Sequence, residues 1–343
     1  MPATTPPPTL VSSEQGAVGP GAIVGARYDE KRQWLLPQGL VARNLPIHPL
    51  FPRPKKNASA KSYAVSFDEL GGNALLGMHM SRLEPGAHNR GHRHLDEAII
   101  LIVRGRGWSE FRQSEEADLQ RVNWEAGDVL AIPANAWHQH FNASQEETAR
   151  QLAFKDTQLL RTMFGSRAFV YDNPFRFIDR YDDQSDYWTS VAAAEDGALI
   201  SNRLSDPSRQ EMGPATNGVT TVRYRMGGHR NLELSLVDLA PNTAFSTGQH
   251  LTEQAVVVLA GSGSTTMKTE PVSTNFSWSA YDLFCPPLGI SSTTTAAESG
   301  ARLLVVENVG LKRLMDATGK KDLPSLIEAE YPGEAEEWDV KFD

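Results

Sequence analysis

At 343 residues the chain is too long for one small barrel and comfortable for two domains of roughly 100–200 residues each. Hydrophobic residues make up 40% and charged residues 22%, which fits a soluble globular protein, and 27 Gly with 21 Pro point to the many turns of an all-β fold. The formal net charge is −9, from 33 basic and 42 acidic residues, with no offsetting Lys/Arg block; this argues against nucleic-acid binding, which needs a basic face.

The single cysteine, Cys285, excludes a disulfide framework within the chain and suits a reducing compartment. No apolar run approaches the roughly 20 residues that span a bilayer. The opening MPATTPPPTLVSSEQG lacks the charged start and apolar stretch of a signal peptide. A cytoplasmic protein with no membrane partner is the expectation.

In chain order, residues 1–27 are rich in Pro, Thr, Ser and Gly and read as a flexible N-terminal arm. Residues 28–160 follow as a first barrel. Within it AVSFDEL, ALLGMHMSRL, AIILIVRG, SEFRQ, DVLAIP and HQHFNA are short runs bounded by turn formers, as in a sandwich or barrel. AIILIVRG is apolar on both faces, as a strand covered on both sides must be. Residues 161–228 are less regular and read as a connector. There FRFIDRYDDQSDYW suits either a helix or packed irregular chain, and SVAAAEDGALISNRL is expected to form a short helix ending near Gly197. Strands resume at LELSLVDL in a second barrel over 229–310. Residues 311–343 read as C-terminal helices (LKRLMDAT, DLPSLIEAEY) and an acidic tail.

The second strand region repeats the first. Between Leu83–Gly107 and Leu239–Gly263, seven of 25 positions match without a gap, among them Pro85/Pro241, His94/His250, Glu97/Glu253 and Gly107/Gly263. Further on, Trp124/Trp278, Ala126/Ala280, Asp128/Asp282 and Pro133/Pro287 match as well. Two copies of one domain therefore account for the length.

The chemistry-bearing residues cluster in the first copy. In GHRH, His92 and His94 stand at i and i+2, so on an extended strand both imidazoles point to one side. Such pairs also occur on surfaces, and two ligands do not hold a metal firmly. WHQHFN supplies His138 and His140 with the same alternation, and either can complete a three-imidazole site.

The spacing resembles the two conserved motifs of the cupin family. Gly86, His92, His94 and Gly105 match the first; Gly127, Pro133, His138 and Asn142 match the second, with Asn135 replacing its second Gly. The resemblance covers about residues 66–154 and extends more weakly through the repeat to about residue 308. It implies an all-β chain of two cupin barrels (double-stranded β-helix, or jelly-roll) with short peripheral helices, and a homo-oligomer. The family's usual fourth ligand is a Glu, and its slot here holds Ala98. Glu97 is one residue away and faces the other side of a regular strand, which makes it structural unless a bulge turns it inward.

A three-His cupin with this Ala and a later W-H-x-H resembles the gentisate 1,2-dioxygenase group of ring-cleaving enzymes. That resemblance implies Fe(II) on His92, His94 and His138 (Mn, Ni or Zn being alternatives), a chelating aromatic or enolic substrate, and O2. It implies an acid–base role for His140, against which stands a merely supporting hydrogen bond. The group's carboxylate-gripping Arg is replaced by Ile100, so either Arg82 or Arg90 takes over or the substrate lacks that carboxylate. Trp108 and Trp137 are candidate cavity walls or core residues, and Asn142 is a further candidate substrate contact. In the second copy the ligand slots hold Gly248, His250 and Ser292, so that barrel is expected to be metal-free. An Fe(II) dioxygenase is the leading expectation. The alternatives are a metal-dependent lyase, isomerase or decarboxylase that does not use O2, and a non-catalytic small-molecule-binding cupin.

Overall fold

The computed structural model describes residues 40–47, 62–67, 70–73, 75–171, 173–247, 252–269, 272–310 and 312–313. The expected flexible arm lies outside the described residues, as do Gly248, His250 and all but two positions of the expected C-terminal helices.

The first half contains β1 (Val41–Ala42), β2 (Ser62–Ser66), β3 (Gly77–Leu83), β4 (Ala98–Arg104), β5 (Arg106–Arg112), β6 (Gln120–Glu125), β7 (Val129–Ile132), β8 (Trp137–Asn142) and β9 (Ala149–Lys155). Two short helices follow, α1 (Thr157–Phe164) and α2 (Arg167–Tyr171), with Gly165 in the left-handed region (φ 59°) ending α1. Then come β10 (Val191–Ala193), β11 (Leu199–Ser201), β12 (Arg203–Leu204), β13 (Val219–Arg225), β14 (Leu232–Leu239), β15 (Ala244–Thr247), β16 (Glu253–Thr269), β17 (Val272–Ser279), β18 (Leu283–Phe284) and β19 (Ser291–Asn308).

The fold is all-β, in two barrels. In the first, a six-stranded sheet (β12-β7-β4-β9-β3-β2) faces a three-stranded one (β6-β5-β8). The second is built on a ten-stranded sheet along β1-β18-β16-β19-β14-β13-β11-β10, with β15 and β17 pairing off this path. Each barrel takes an edge strand from the chain that precedes the other. β1 pairs β18 of the second barrel, and β12 pairs β7 of the first. The matched aspartates clamp these exchanges, Asp282 on Arg43 at 2.7 Å and Asp128 on Arg203 at 3.0 Å.

The two-faced apolar strands have a direct cause. On β4, Ile99, Leu101 and Val103 belong to a core shared with Leu232, Leu234, Val257 and Val306 of the second barrel. The alternate residues Ala98, Ile100 and Ile102 face the interior of the first barrel with Phe111, Val122 and Trp124. A strand that packs on both sides must be apolar at every position.

Glu97 has the parity of the shared face, and its carboxylate works there. It accepts the backbone N–H groups of Arg230 (2.6 Å), Asn231 (2.8 Å) and Leu232 (3.0 Å) at the entry to β14. Its repeat partner Glu253 accepts the N–H groups of Leu75 (2.7 Å) and Leu76 (2.6 Å) at the entry to β3. Two buried carboxylates thus tie the barrels reciprocally, and no bulge turns Glu97 toward the imidazoles.

Two expectations for the connector are settled by packing. FRFIDRYDDQSDYW is irregular chain, and its Tyr181, Tyr187 and Trp188 are buried in the core of the first barrel. The helix expected in SVAAAEDGALISNRL does not form. Residues 191–201 make the hairpin of β10 and β11, turning through Gly197 at φ +79°, and β11 pairs β13. The alanine run is too short to nucleate a helix without tertiary support, and a sheet edge was available to it. Among the described residues no helix is long and apolar enough to cross a membrane.

Candidate metal centre

The histidine-bearing loop is zipped onto β8. His92 N–H donates to His138 O (3.0 Å) and His138 N–H to His92 O (2.8 Å), a hydrogen-bonded antiparallel pair whose side chains share a face. Their ring centroids lie 4.4 Å apart. His94 follows in extended chain, where its carbonyl accepts the N–H of Asn135 (3.0 Å). Asn135 takes the left-handed conformation (φ 53°) that its motif slot requires, and its amide ties down Asn173 O (2.9 Å) and Phe175 O (2.6 Å).

His92, His94 and His138 each offer one ring nitrogen, and the three nitrogens lie within 4.8 Å of one another. Every Nδ1 is engaged by a backbone carbonyl: Arg90 O for His92 (2.8 Å), Asp96 O for His94 (2.8 Å) and Ala136 O for His138 (2.9 Å). A carbonyl only accepts, so each Nδ1 carries the proton and each Nε2 presents a lone pair. Burial, then the Lys155 charge, pushes His92 down to about 3. Burial pushes His94 down to about 3 against the opposing pull of Asp96. Burial and the neighbouring His92 and His94 hold His138 well below the usual range. Three neutral imidazoles on one face, locked in the ligating tautomer, fit a divalent metal ion, and the cluster can hold one.

His140 differs. Trp124 Nε1–H donates to Ser109 Oγ (2.9 Å), which lies 2.7 Å from His140 Nδ1. The pairing that gives each of these hydrogens an acceptor sends the Ser109 proton to Nδ1 and places the ring proton of His140 on Nε2. His140 lines the same cavity as the other three but offers a donor where they offer lone pairs. Ser109→Ala leaves the buried Trp124 N–H without its acceptor and is expected to cost about 1–3 kcal/mol of stability. A urea titration reads this, and an unchanged midpoint contradicts the relay.

The cavity is narrow, about 40 Å³ in volume. Besides the histidines, its lining includes Ala98, Ile100, Ile132, Ala153, Gln151 and Lys155, and among the described residues no Asp or Glu. Gln151 and Lys155, with His79, Ser81 and Asn89, are polar lining residues that motif reading missed. Lys155 Nζ stands 3.1 Å from His94 Nε2 and 3.3 Å from Asp96 Oδ2, which also accepts the Thr157 hydroxyl at 2.6 Å. Tyr171 of α2 meets the His94 ring edge-on at 6.5 Å.

The other candidate substrate contacts lie elsewhere. Arg82 sits on β3 with the parity opposite to the cavity-lining His79 and Ser81; it is paired with Glu84 (Nε to Oε1 2.8 Å) and stacked over Tyr63. Arg90 is exposed and gives the site only its carbonyl. Trp108 is stacked on Phe141 (4.9 Å) under Arg121, on the outer side of β5. Trp137 is on the outer side of β8 against Gly91, where a Cβ would meet the ring at 2.2 Å. Asn142 is buried but fully used, donating to Leu83 O, Glu84 O and Glu147 O and accepting from Ser144 N–H. Each of these five is therefore removed from the cavity wall by strand parity or by its existing partners.

In the second barrel, Ser292 pairs with Thr247 (2.8 Å). Thr294, in the place of His140, meets Thr265 (3.0 Å), which accepts Trp278 Nε1–H (3.0 Å). The indole–hydroxyl arrangement survives there, with a threonine where the first barrel has its fourth histidine.

Residues 79–154 match the Cupin domain family. A 47-residue stretch is 40% identical to acireductone dioxygenase 1 of Coprinopsis cinerea; it covers 14% of this chain and only 26% of that relative. Among solved structures, salicylate 1,2-dioxygenase from Pseudaminobacter salicylatoxidans is similar at a TM-score of 0.54 and 17% identity, over 76% of this chain and 79% of that one. A further structure of that enzyme, an adduct with gentisate, is similar at a TM-score of 0.56 and 16% identity, over 90% of this chain and 95% of that one. Residues 79–154 thus match the cupin family, and the chain shares its overall fold with that dioxygenase.

Proposed function

We propose that the protein is an Fe(II)-dependent dioxygenase that cleaves a C–C bond of a hydroxylated, gentisate- or salicylate-like aromatic substrate with O2. The observation that carries this reading is the set of three neutral imidazoles on one face, with Ala98 in the slot of a fourth ligand. Fe(II), when bound, supplies the open positions and redox activity that bring a chelating substrate and O2 together. His92, His94 and His138 hold the ion through Nε2. Ala98 supplies no fourth ligand, and Ile100, Ile132 and Ala153 wall the site with apolar surface that excludes water. His140 Nε2–H faces the same cavity, held by Ser109, and passes a proton to or from a substrate oxygen.

His140→Ala is accordingly expected to keep its metal and to lose about a hundredfold or more in turnover. Unchanged turnover, or loss of the metal, contradicts the acid–base assignment. The function is tested on an oxygen electrode with the Fe(II)-loaded protein and a panel of gentisate, salicylates, hydroxynaphthoates, catechols and β-diketones. Oxygen uptake coupled to loss of the aromatic absorbance supports the proposal. Turnover without oxygen consumption replaces it with a metal-dependent lyase, isomerase or decarboxylase, and absence of any turnover favours a binding protein.

A further inference from the structure

We propose that Lys155 is the residue that grips the negatively charged group of the ligand, so that the site takes a carboxylate bearing a second oxygen donor close by. This rests on the reading that the three imidazoles hold a divalent ion. The position expected to carry a positive charge, residue 100, is an isoleucine, and the nearby arginines Arg82 and Arg90 lie off the cavity wall. A cation nevertheless reaches the site from the neighbouring strand. In the antiparallel register of β4 and β9, Lys155 stands opposite Ala98, Ala153 opposite Ile100 and Gln151 opposite Ile102. Lys155 therefore fills space beside the slot in which a fourth, carboxylate ligand would sit.

The charge balance favours an anion. Asp96 sets one carboxylate against the Lys155 ammonium (3.3 Å), the ligating imidazoles are neutral, and among the described residues no Asp or Glu lines the cavity. The charge of a bound ion is then met only by what enters with it. Lys155 Nζ reaches His94 Nε2 itself (3.1 Å), so its donors aim at the place where an ion and its ligand meet. At the other end of the same wall, Gln151 is buried and its Nε2 has no hydrogen-bond partner among the described residues. Four residues of strand put the two Cα positions about 13 Å apart. A buried amide N–H left unpaired is costly, and an oxygen of a flat ligand lying between the two side chains satisfies it.

The test is binding without oxygen. Protein loaded with Fe(II), or with Co(II) as a coloured surrogate, is titrated anaerobically with salicylate and with 2-hydroxybenzamide, the same frame without the charge; oxalate serves as a smaller anionic probe. The wild type is expected to prefer salicylate by about tenfold or more. Lys155→Gln is expected to keep one metal per chain, to lose that preference through weaker salicylate binding, and to bind the amide as before. Lys155→Arg is expected to retain the preference. A wild type without preference, failure to bind either salicylate or oxalate, or an equal loss for acid and amide in Lys155→Gln overturns the proposal. Should Lys155→Gln not fold, the arginine variant decides, since a charge grip survives that exchange and a preference lost there overturns the proposal. Charge selectivity that persists without any oxygen uptake removes the dioxygenase reading and leaves Lys155 in its role; oxygen uptake without charge selectivity does the reverse.

Discussion

His138→Ala is expected to empty the protein of metal. His138 is the one member of the cluster that comes from β8, and its backbone pair with His92 sets both rings on one face, where they can hold an ion. Removing a group that only orients a ligand costs about 10–100-fold in metal affinity, and removing the ligand itself costs more, because two imidazoles do not enclose an ion. Mass spectrometry of the metal content after dialysis reads the effect directly. His140→Ala is the matched control: it removes an imidazole two residues away whose Nδ1 faces Ser109. Metal lost from the His138 variant and kept by the His140 variant is the expected pattern. Equal retention in both contradicts the ligand set.

Glu97→Ala is expected to be the most destabilising single change at the junction of the barrels. The carboxylate accepts three consecutive backbone N–H groups, those of Arg230, Asn231 and Leu232. Arg180 lies 3.7 Å from it, and Glu97 is 4% exposed, so water does not readily replace what is removed. Several buried donors lose their acceptor at once, at a cost of about 3–5 kcal/mol. Glu253→Ala, which frees the N–H groups of Leu75 and Leu76, is expected to cost nearly as much. Denaturant unfolding checks both. Metal content in the folded Glu97 variant checks the assignment itself: it is expected to stay at the wild-type level, and loss of metal under native conditions makes Glu97 a ligand after all.

Much of this was legible because strand chemistry has a period of two. The spacing of His92, His94 and His138 survives intact in the structure, and the parity that separates Ala98 from Glu97 holds through β4. The same rule puts Trp137 outside as soon as His138 is inside, and Arg82 opposite His79 and Ser81; applied one strand further, it would have removed both from the cavity. Lys155 was not legible in the same way. It reaches the imidazoles through the pairing of β9 with β4, a register set by the closed barrel and not by any motif. The available trace was the alternation in RQLAFK, where Leu152 and Phe154 face the shared core and Gln151, Ala153 and Lys155 face inward. The stretch from Val191 to Ser201 went to a hairpin because β13 offered it a sheet edge, a tertiary contact that local propensity does not contain.

Three imidazoles are expected to share one ion. Anaerobic titration of metal-stripped protein with Fe(II), followed by X-ray absorption at the iron edge, checks this. One equivalent is expected to bind per chain, with three nitrogen scatterers at about 2.0–2.2 Å, assigned to histidine. Sub-stoichiometric binding, or a first shell of oxygens with fewer than three imidazoles, contradicts it.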